Sequence, residues 1–281
     1  PLSADSDGDG RSDADERWLG GDPLDATSTD ALRLSYWRFN NANLLCLTNE
    51  AGFGPLQATN IVMTNSFEGL APDLRLGGAL LRLPCYAGTN QARTNFLDFR
   101  CGSVRFWYMP NWYHGSGNDS PGASCTLVQV GGWKLSISAD GRWLVFESPN
   151  GAGGTNENLR VVLPRADGAN FNGRTGWQIT LSYTPGTSWI EVNGDKRDDE
   201  YGHSDGFGVE AAPSATDIDM GLHVGCSPGG TNPAQGLIDE LETFNWPVGV
   251  GAGVCGTPFR RLWDSWERLS QILVAPTPEG S

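Results

Sequence analysis

The chain has 281 residues, of which 33 are acidic and 19 basic, so its net charge at pH 7 is −14. The basic residues are dispersed and form no stripe, which argues against nucleic acid or an anionic membrane as a partner. No apolar run approaches the ~18 residues of a membrane span. Because the sequence begins at Pro1, we interpret it as a mature product or an excised piece of a longer protein.

An acidic segment near the start of the chain, residues 5–16, reads DSDGDGRSDADE. Calcium prefers six to eight oxygen ligands, and a 12-residue loop supplies them from fixed positions around a sharp glycine turn. With residue 5 as position 1, side-chain oxygens fall at positions 1, 3, 5, 9 and 12, Gly10 takes the turn, and position 7 offers a backbone carbonyl. The predicted calcium ligands are Asp5, Asp7, Asp9, Arg11 (through its carbonyl), Asp13 and Glu16. The alternative is a solvated acidic linker.

The residues around this loop indicate what kind of calcium site it is. Only four residues precede it, and Gly20-Gly21 follows within about one turn, so a paired EF-hand is not expected. Residues 1–30 instead resemble one thrombospondin type-3-like repeat. That resemblance implies a structural role, in which bound calcium stiffens the chain between domains of large secreted bacterial proteins.

The six cysteines lack Cys-x-x-Cys spacing, so a zinc site is not expected. Their even number is compatible with three disulfides of undetermined pairing, and free buried thiols are the alternative. They are Cys46, Cys85, Cys101, Cys125, Cys226 and Cys255. Calcium is scarce in cytosol, so the calcium loop favours a secreted, extracellular or cell-surface location.

The body of the chain, residues 31–250, is a series of short alternating apolar and polar runs separated by Gly, Pro, Asn and Asp. This pattern predicts an all-β fold, a two-sheet antiparallel sandwich or jelly roll. Asp140-Gly141 and Asn193-Gly194 each predict a tight turn between paired strands. The predicted strands include Leu34–Phe39, Ser103–Met109, Cys125–Val130, Lys134–Ser138, Trp143–Glu147, Trp177–Tyr183, Ser188–Val192 and Ile238–Phe244.

Five segments of this body resemble, in order, the strands of bacterial LamG-like, concanavalin A-type jelly rolls. They are LSYWRF at 34–39, LRLGGALLRLP at 74–84, GSVRFWYMPN at 102–111, GWQITLSYT at 176–184 with WIEVNG at 189–194, and GLIDELETFN at 236–245. The resemblance implies the jelly-roll fold. It does not fix the function, because such domains bind glycans, mediate adhesion or act as spacers, and related sandwiches are carbohydrate-active enzymes.

We find no pattern that predicts catalysis. In Ile238-Asp239-Glu240-Leu241-Glu242, strict alternation places Glu240 and Glu242 on one face and Asp239 on the other, which leaves the leading acid of a hydrolase triplet absent. The three histidines, His114, His203 and His223, are far apart in sequence, and no nucleophile elbow occurs. We therefore interpret the chain as non-enzymatic.

The best sequence candidates for a ligand surface are Trp112 and Tyr113, which follow a strand within a polar loop. Indole faces stack well on sugars, although packing at the edge of the core is the alternative. Other tryptophans instead lie within predicted strands, where they would fill the sandwich: Trp37, Trp107, Trp177 and Trp189.

The last part of the chain changes character. Apolar residues recur at three- and four-residue spacing through residues 257–273, which predicts an amphipathic helix after Thr257-Pro258. Residues 274–281 are interpreted as a tail or linker. The apolar face, which includes Trp263 and Trp266, should pack on the sandwich, or else on another subunit or domain.

Together these patterns favour a secreted calcium-binding module for binding or adhesion, with an extracellular glycan as the preferred ligand class and a protein as another. The first alternative is a structural or assembly protein that makes homo-oligomer or assembly contacts through residues 259–273. A carbohydrate-active enzyme is the third interpretation.

Overall fold

The fold is seen in a computed structural model, which describes residues 6, 33–39, 49, 52–66, 69–75, 78–88, 94–112, 120–164, 170–171 and 174–248. The six predicted calcium ligands, the helix predicted at 257–273 and the tail at 274–281 lie outside these residues, as do Tyr113, Cys46 and Cys255. No helix in the described part of the chain is long and apolar enough to cross a membrane.

The described residues form twenty β-strands and one short α-helix. The strands are β1 Arg33–Trp37, β2 Gln57–Thr59, β3 Val62–Asn65, β4 Leu70–Asp73, β5 Leu80–Leu83, β6 Tyr86–Ala87, β7 Thr94–Asn95, β8 Gly102–Pro110, β9 Cys125–Val130, β10 Trp133–Ile137, β11 Trp143–Pro149, β12 Thr155–Val162, β13 Asn170–Phe171, β14 Arg174–Thr175, β15 Trp177–Tyr183, β16 Thr187–Val192, β17 Asp195–Lys196, β18 Gly206–Phe207, β19 Leu222–Val224 and β20 Gly236–Phe244, and the helix is α1 Ala215–Met220.

Two antiparallel sheets make up the sandwich. Sheet A has the order β17-β16-β15-β8-β20-β4-β3, with β1 also paired to β20 and β18 to β16. Sheet B has the order β12-β11-β10-β9-β19-β5-β2. The chain therefore crosses repeatedly between sheets, and the predicted all-β jelly-roll sandwich is confirmed.

The inner faces of the two sheets enclose one aromatic-rich core. Trp133 is fully buried there, and its ring centroid lies 5.5 Å from those of both Phe146 and Tyr183 and 5.9 Å from that of Phe99. These edge-on contacts match the preferred geometry of aromatic pairs. Burying side chains of this size contributes about 1.5–3 kcal/mol each, so the core is the main source of stability.

The predicted strands agree with the observed ones to within two residues at either end. Both predicted turns are also present: Gly141 has φ +70°, and Asn193 and Gly194 have φ +55° and +81°. These positive values explain why the turns require Gly and Asn. The sequence did not predict α1, which is short and begins where the Ser214 hydroxyl accepts a hydrogen bond from the backbone N–H of Asp217.

Four cysteines lie in the described part of the chain, and all four are free thiols: Cys85, Cys101, Cys125 and Cys226. Burial raises the pKa of Cys85 and of Cys125 to about 12. For these four residues the structure favours the free-thiol alternative over disulfides.

After β20 the chain crosses the outer face of sheet A. The hydroxyl of Ser103 on β8 accepts a hydrogen bond from the backbone N–H of Val248 at 2.8 Å, and the hydroxyl of Ser182 on β15 donates to the carbonyl of Val248 at 2.6 Å. Residues 245–248 are thereby held against two neighbouring strands of sheet A.

Candidate functional site

A row of polar side chains crosses the outer face of sheet B. Antiparallel pairing aligns one residue from each of seven strands, because each is the direct partner of the next across the sheet. We call this set the polar row; its members are Gln57, Arg82, His223, Gln129, Lys134, Glu147 and Glu157.

Strand alternation explains why the row faces away from the core. On β19, Leu222 and Val224 on either side of His223 belong to the core, so the histidine points to the other face. Leu81 and Leu83 place Arg82 outward on β5 in the same way. A backbone irregularity makes neighbouring Leu127 and Val128 of β9 both core residues, and Gln129 then falls on the outer face.

The centre of the row contains polar atoms that are buried but not satisfied. His223 is only 4% exposed, and neither of its ring nitrogens has a hydrogen-bond partner within the described structure. The same holds for Oε1 of Gln129 and Nε of Arg82, which flank it on the adjacent strands. Leaving a buried polar atom without a partner costs about 1–3 kcal/mol, so four such atoms together indicate a place for bound water or ligand.

The protonation state of His223 sets which hydrogen bonds the site offers. Burial lowers the pKa of His223, and the nearby positive charge of Arg82 lowers it further. The ring is therefore neutral at pH 7, with one nitrogen that donates and one that accepts. The side-chain amide of Gln129 donates to the carbonyl of Gly131 at 2.8 Å, which leaves its Oε1 as an acceptor. Arg82 contributes only donors.

A patch of small polar side chains lies beside the centre of the row on the same face. Thr126 pairs with Ser136 across β9 and β10, and the hydroxyls of Thr126 and Ser227 are 2.8 Å apart. Trp143 follows on β11, where the guanidinium of Arg142 lies 4.8 Å from the centre of the indole ring. Thr126 and Ser136 are themselves buried, at 2% and 5% exposure.

The far end of the row is internally neutralised. Lys134 forms an ion pair with Glu147, and Arg160 forms an ion pair with Glu157 at 2.7 Å. Such exposed or half-exposed pairs contribute little to stability. The buried polar atoms of the row that lack hydrogen-bond partners among the described residues therefore all lie in its other half, around His223.

The structure corrects the predicted ligand platform at Trp112. Trp112 is 3% exposed and belongs to the core cluster, and its ring centroid lies 5.8 Å from that of Trp177. The close approach of Gly141, where an added Cβ would come within 2.7 Å of the indole, shows how tightly it is enclosed. The prediction of an exposed stacking surface is therefore wrong for Trp112. The other predicted member, Tyr113, lies outside the described residues.

Sequence reasoning missed His223 because it treated the three histidines as isolated. Only the pairing of β5, β19 and β9 brings His223 between Arg82 and Gln129. A local signal is present in each strand, since one polar residue stands between apolar residues in Leu81–Leu83, Leu222–Val224 and Val128–Val130. The alignment of these strands is not readable from the sequence.

The acidic strand β20 also differs from its prediction. Asp239 pairs with Trp107 but Glu242 pairs with Arg105, so one extra residue is inserted on β20, and Glu240 adopts φ +53°. This bulge puts Asp239 and Glu242 on the same outer face of sheet A, where strict alternation would separate them.

Hydrogen bonds and ion pairs hold the carboxylates of β20. Arg33 pairs with Glu242 at 3.0 Å and Arg105 pairs with it as well, while the hydroxyl of Ser66 donates to Asp239 at 2.5 Å. Both carboxylates are thus engaged by neighbouring side chains of sheet A.

Metal binding by the described residues is not supported: within them, no group of three or more His, Cys, Asp or Glu is placed to hold a metal ion. The predicted calcium loop at residues 5–16 lies outside the described residues, apart from Ser6, so its ligand set stays a prediction.

Comparison with known proteins gives a fold but no family. No family model matches the chain, and no curated protein matches it. A point mutant of HCR/D is a structural neighbour with TM-score 0.52 and 14% identity, over 84% of this chain and 51% of that one. The botulinum neurotoxin type G receptor binding domain has TM-score 0.47 and 12% identity, over 83% and 51%.

A further neighbour is domain 4 of AbnA, a GH43 extracellular arabinanase from Geobacillus stearothermophilus, in complex with arabinotriose. It has TM-score 0.47 and 16% identity, over 78% of this chain and 95% of that domain. The chain spans about half the length of the HCR/D and neurotoxin chains that it matches. At these identities the likeness concerns the fold alone, and this chain has the jelly-roll sandwich that its own sheets display.

Proposed function

We propose that the protein is a secreted, non-catalytic LamG-like module that binds an extracellular glycan through the polar row of sheet B. The observation that carries this proposal is the group of unsatisfied atoms at the centre of the row: both ring nitrogens of His223, Oε1 of Gln129 and Nε of Arg82.

The mixture of donors and acceptors favours a ligand rich in hydroxyl groups. A hydroxyl both donates and accepts, so vicinal sugar hydroxyls match a neutral histidine beside one acceptor and one donor. Neighbouring strands lie about 4.8 Å apart, roughly the width of one sugar ring, so one ring can reach His223 together with an adjacent strand.

Calcium enters this proposal as a structural element. The loop at residues 5–16 would hold one calcium ion next to the jelly roll, and it would stiffen the chain that precedes β1. This structural role of calcium is independent of the polar row, since every residue of the row lies on a strand of sheet B.

The experiment is a binding screen of the purified full chain against a panel of neutral and acidic polysaccharides, followed by variants. Gln129→Leu removes an acceptor that lacks a partner among the described residues, together with the donor to the carbonyl of Gly131. It should weaken binding of the best polysaccharide about 3- to 10-fold and lower the melting temperature only slightly. Gln178→Leu makes the same change on β15 of sheet A and should bind normally.

If the wild type binds a polysaccharide and Gln129→Leu binds it equally well, the binding site does not lie at the polar row. A wild type that binds no member of the panel would mean that the unsatisfied atoms hold water only.

A carbohydrate-active enzyme is a second candidate, and one observation favours it. His223 is neutral and lies next to Arg82, and a neutral imidazole beside a positive charge is suited to abstract a proton from a sugar acid. Incubation with the bound polysaccharide, followed by measurement of chain length, separates an enzyme from a binding module. The assembly alternative is separated from both by the mass of the protein in solution.

A further inference from the structure

We infer that the glycan bound by the polar row carries an anionic group, and that Arg82 is the residue that selects it. This inference rests on the proposed function, which it deepens by naming the class of sugar.

The charge of Arg82 has no counter-charge in the described structure. Arg82 forms no ion pair with any described residue, and its direct partners across the sheet are Gln57 and His223. Lys134 in the same row is paired with Glu147. The half of the row around Lys134 is therefore neutralised, whereas the half around Arg82 keeps its positive charge.

The burial of Arg82 makes this contrast informative. Its side chain is half-buried, and Nε is shielded from solvent without a hydrogen-bond partner among the described residues. A fully exposed arginine needs no partner, because water solvates it. A partly desolvated one is stabilised by an anion, and 33 acidic residues in the chain could have supplied one.

The geometry of the guanidinium points to the kind of anion. Nε–H and the adjacent terminal N–H form a planar fork that binds a carboxylate with two parallel hydrogen bonds. A uronic acid places its carboxylate on the sugar ring itself, so that Arg82 can hold the carboxylate while hydroxyls reach His223 and Gln129. A sulfate ester would offer the same charge with tetrahedral rather than planar oxygens.

The negative net charge of the protein does not oppose such a ligand at close range. Exposed charges more than about 8 Å apart are largely screened at physiological ionic strength. The local charge at Arg82 therefore decides recognition, and the net charge of −14 mainly slows the approach of a polyanion at low salt.

The test compares uronic-acid oligosaccharides of several configurations with their own methyl esters, using isothermal titration calorimetry on the full chain. Each pair differs only in the charge of the carboxyl group. The wild type should prefer the free acid of its ligand by about 10- to 100-fold, and Arg82→Gln should remove the preference while retaining binding of the ester. Dextran sulfate and dextran form a second pair that distinguishes a sulfate from a carboxylate.

Arg142→Gln is the matched control, because Arg142 is an exposed arginine at the edge of the same face. It should leave the preference for the acid unchanged. Arg82→Lys keeps the charge without the fork and should lose part of the preference, and it provides a folded variant if Arg82→Gln is unstable.

Different failures have different meanings. If the wild type binds a neutral glycan through the polar row but shows no preference for any acid, the inference is wrong and the proposed function stands. An unchanged preference in Arg82→Gln also overturns the inference. If the wild type binds none of the saccharides, the proposed function itself fails.

Discussion

His223 on β19 lies directly opposite Gln129 on β9, and the two side chains together present three buried atoms without hydrogen-bond partners in the described structure. Neither side chain satisfies the other, although they are neighbours across the sheet. A pair that served only stability would be expected to form that hydrogen bond. The arrangement therefore leaves these buried atoms available to a partner that is not among the described residues.

The contribution of His223 to stability should fall as the pH decreases below about 6.5, the ordinary pKa of histidine. Because burial lowers the pKa of His223 in the folded state, the unfolded chain binds a proton at a higher pH than the folded one. The contribution of His223 is thus present at neutral pH and is lost in acid. Glu240 acts in the opposite direction over the same pH range, so the quantity to measure is the difference in stability between the wild type and His223→Gln. Urea unfolding at pH 7.5 and pH 5.5 should show that the wild type loses stability relative to the variant as the pH falls. A difference that does not change with pH would contradict this.

The contribution of Glu240 to stability should depend on pH in the opposite direction to that of His223. Burial, and then the negative charge of Glu242, raise the pKa of Glu240 to about 8, whereas its ordinary value is 4.5. Between these pH values the folded state retains a proton that the unfolded state has lost, so the free energy of unfolding decreases as the pH rises through this window. Glu240→Gln mimics the protonated form and should stabilise the protein at pH 8 by about 1–3 kcal/mol. If Glu240→Gln were no more stable than the wild type at pH 8, as well as at pH 5, the prediction would be wrong.

Replacement of Trp112 by Ala should destabilise the fold by about 3–5 kcal/mol, because a large buried aromatic is removed from the core. This outcome differs from that of an exposed sugar-binding platform, which would leave the melting temperature unchanged. Phe207→Ala is the control, since Phe207 is 78% exposed. Retention of the wild-type melting temperature by Trp112→Ala would show that the ring is not packed as described.

The loop at residues 5–16 should bind one calcium ion through Asp5, Asp7, Asp9, Asp13, Glu16 and the carbonyl of Arg11. The double variant Asp5→Asn, Asp9→Asn should lose most of the affinity, because calcium prefers charged oxygen ligands. Calorimetric titration of the full chain measures both. Calcium uptake that is unaffected by the double variant would exclude this ligand set, and chelation should leave the melting transition of the jelly roll in place.

Deletion of residues 257–281 tests the predicted amphipathic helix. A helix of this length with seven large apolar residues should bury them against protein, since an isolated one would be marginal in water. The chain after β20 crosses sheet A at Val248, so we predict that the helix packs on the outer face of that sheet and that its deletion lowers the melting temperature without changing the solution mass. A change of mass would favour the assembly alternative, and no change in either quantity would show that the segment is dispensable.

Most of the fold follows from local patterns, whereas the site does not. Alternation and the Asp140-Gly141 turn specify β10 and β11 because both signals act within a few residues of sequence. The polar row depends on the alignment of β5, β19 and β9, and His223 is 141 residues after Arg82 in the sequence (223 − 82). The bulge at Glu240 was missed for a related reason, since one extra residue in a strand leaves no mark on its composition.

The pairing of β1 with β20 has a mechanical consequence. Arg33, where β1 begins, lies opposite Phe244, where β20 ends, and the ladder continues to Trp37 opposite Leu241. The two ends of the jelly roll are therefore neighbours at one end of sheet A. A pulling force applied through both flanking segments would separate the paired residues of this ladder one after another, starting from Arg33 and Phe244. The load would reach this ladder and the hydrogen bonds that hold Val248 to Ser103 and Ser182, all in sheet A, and the strands of sheet B would lie outside the path of the force.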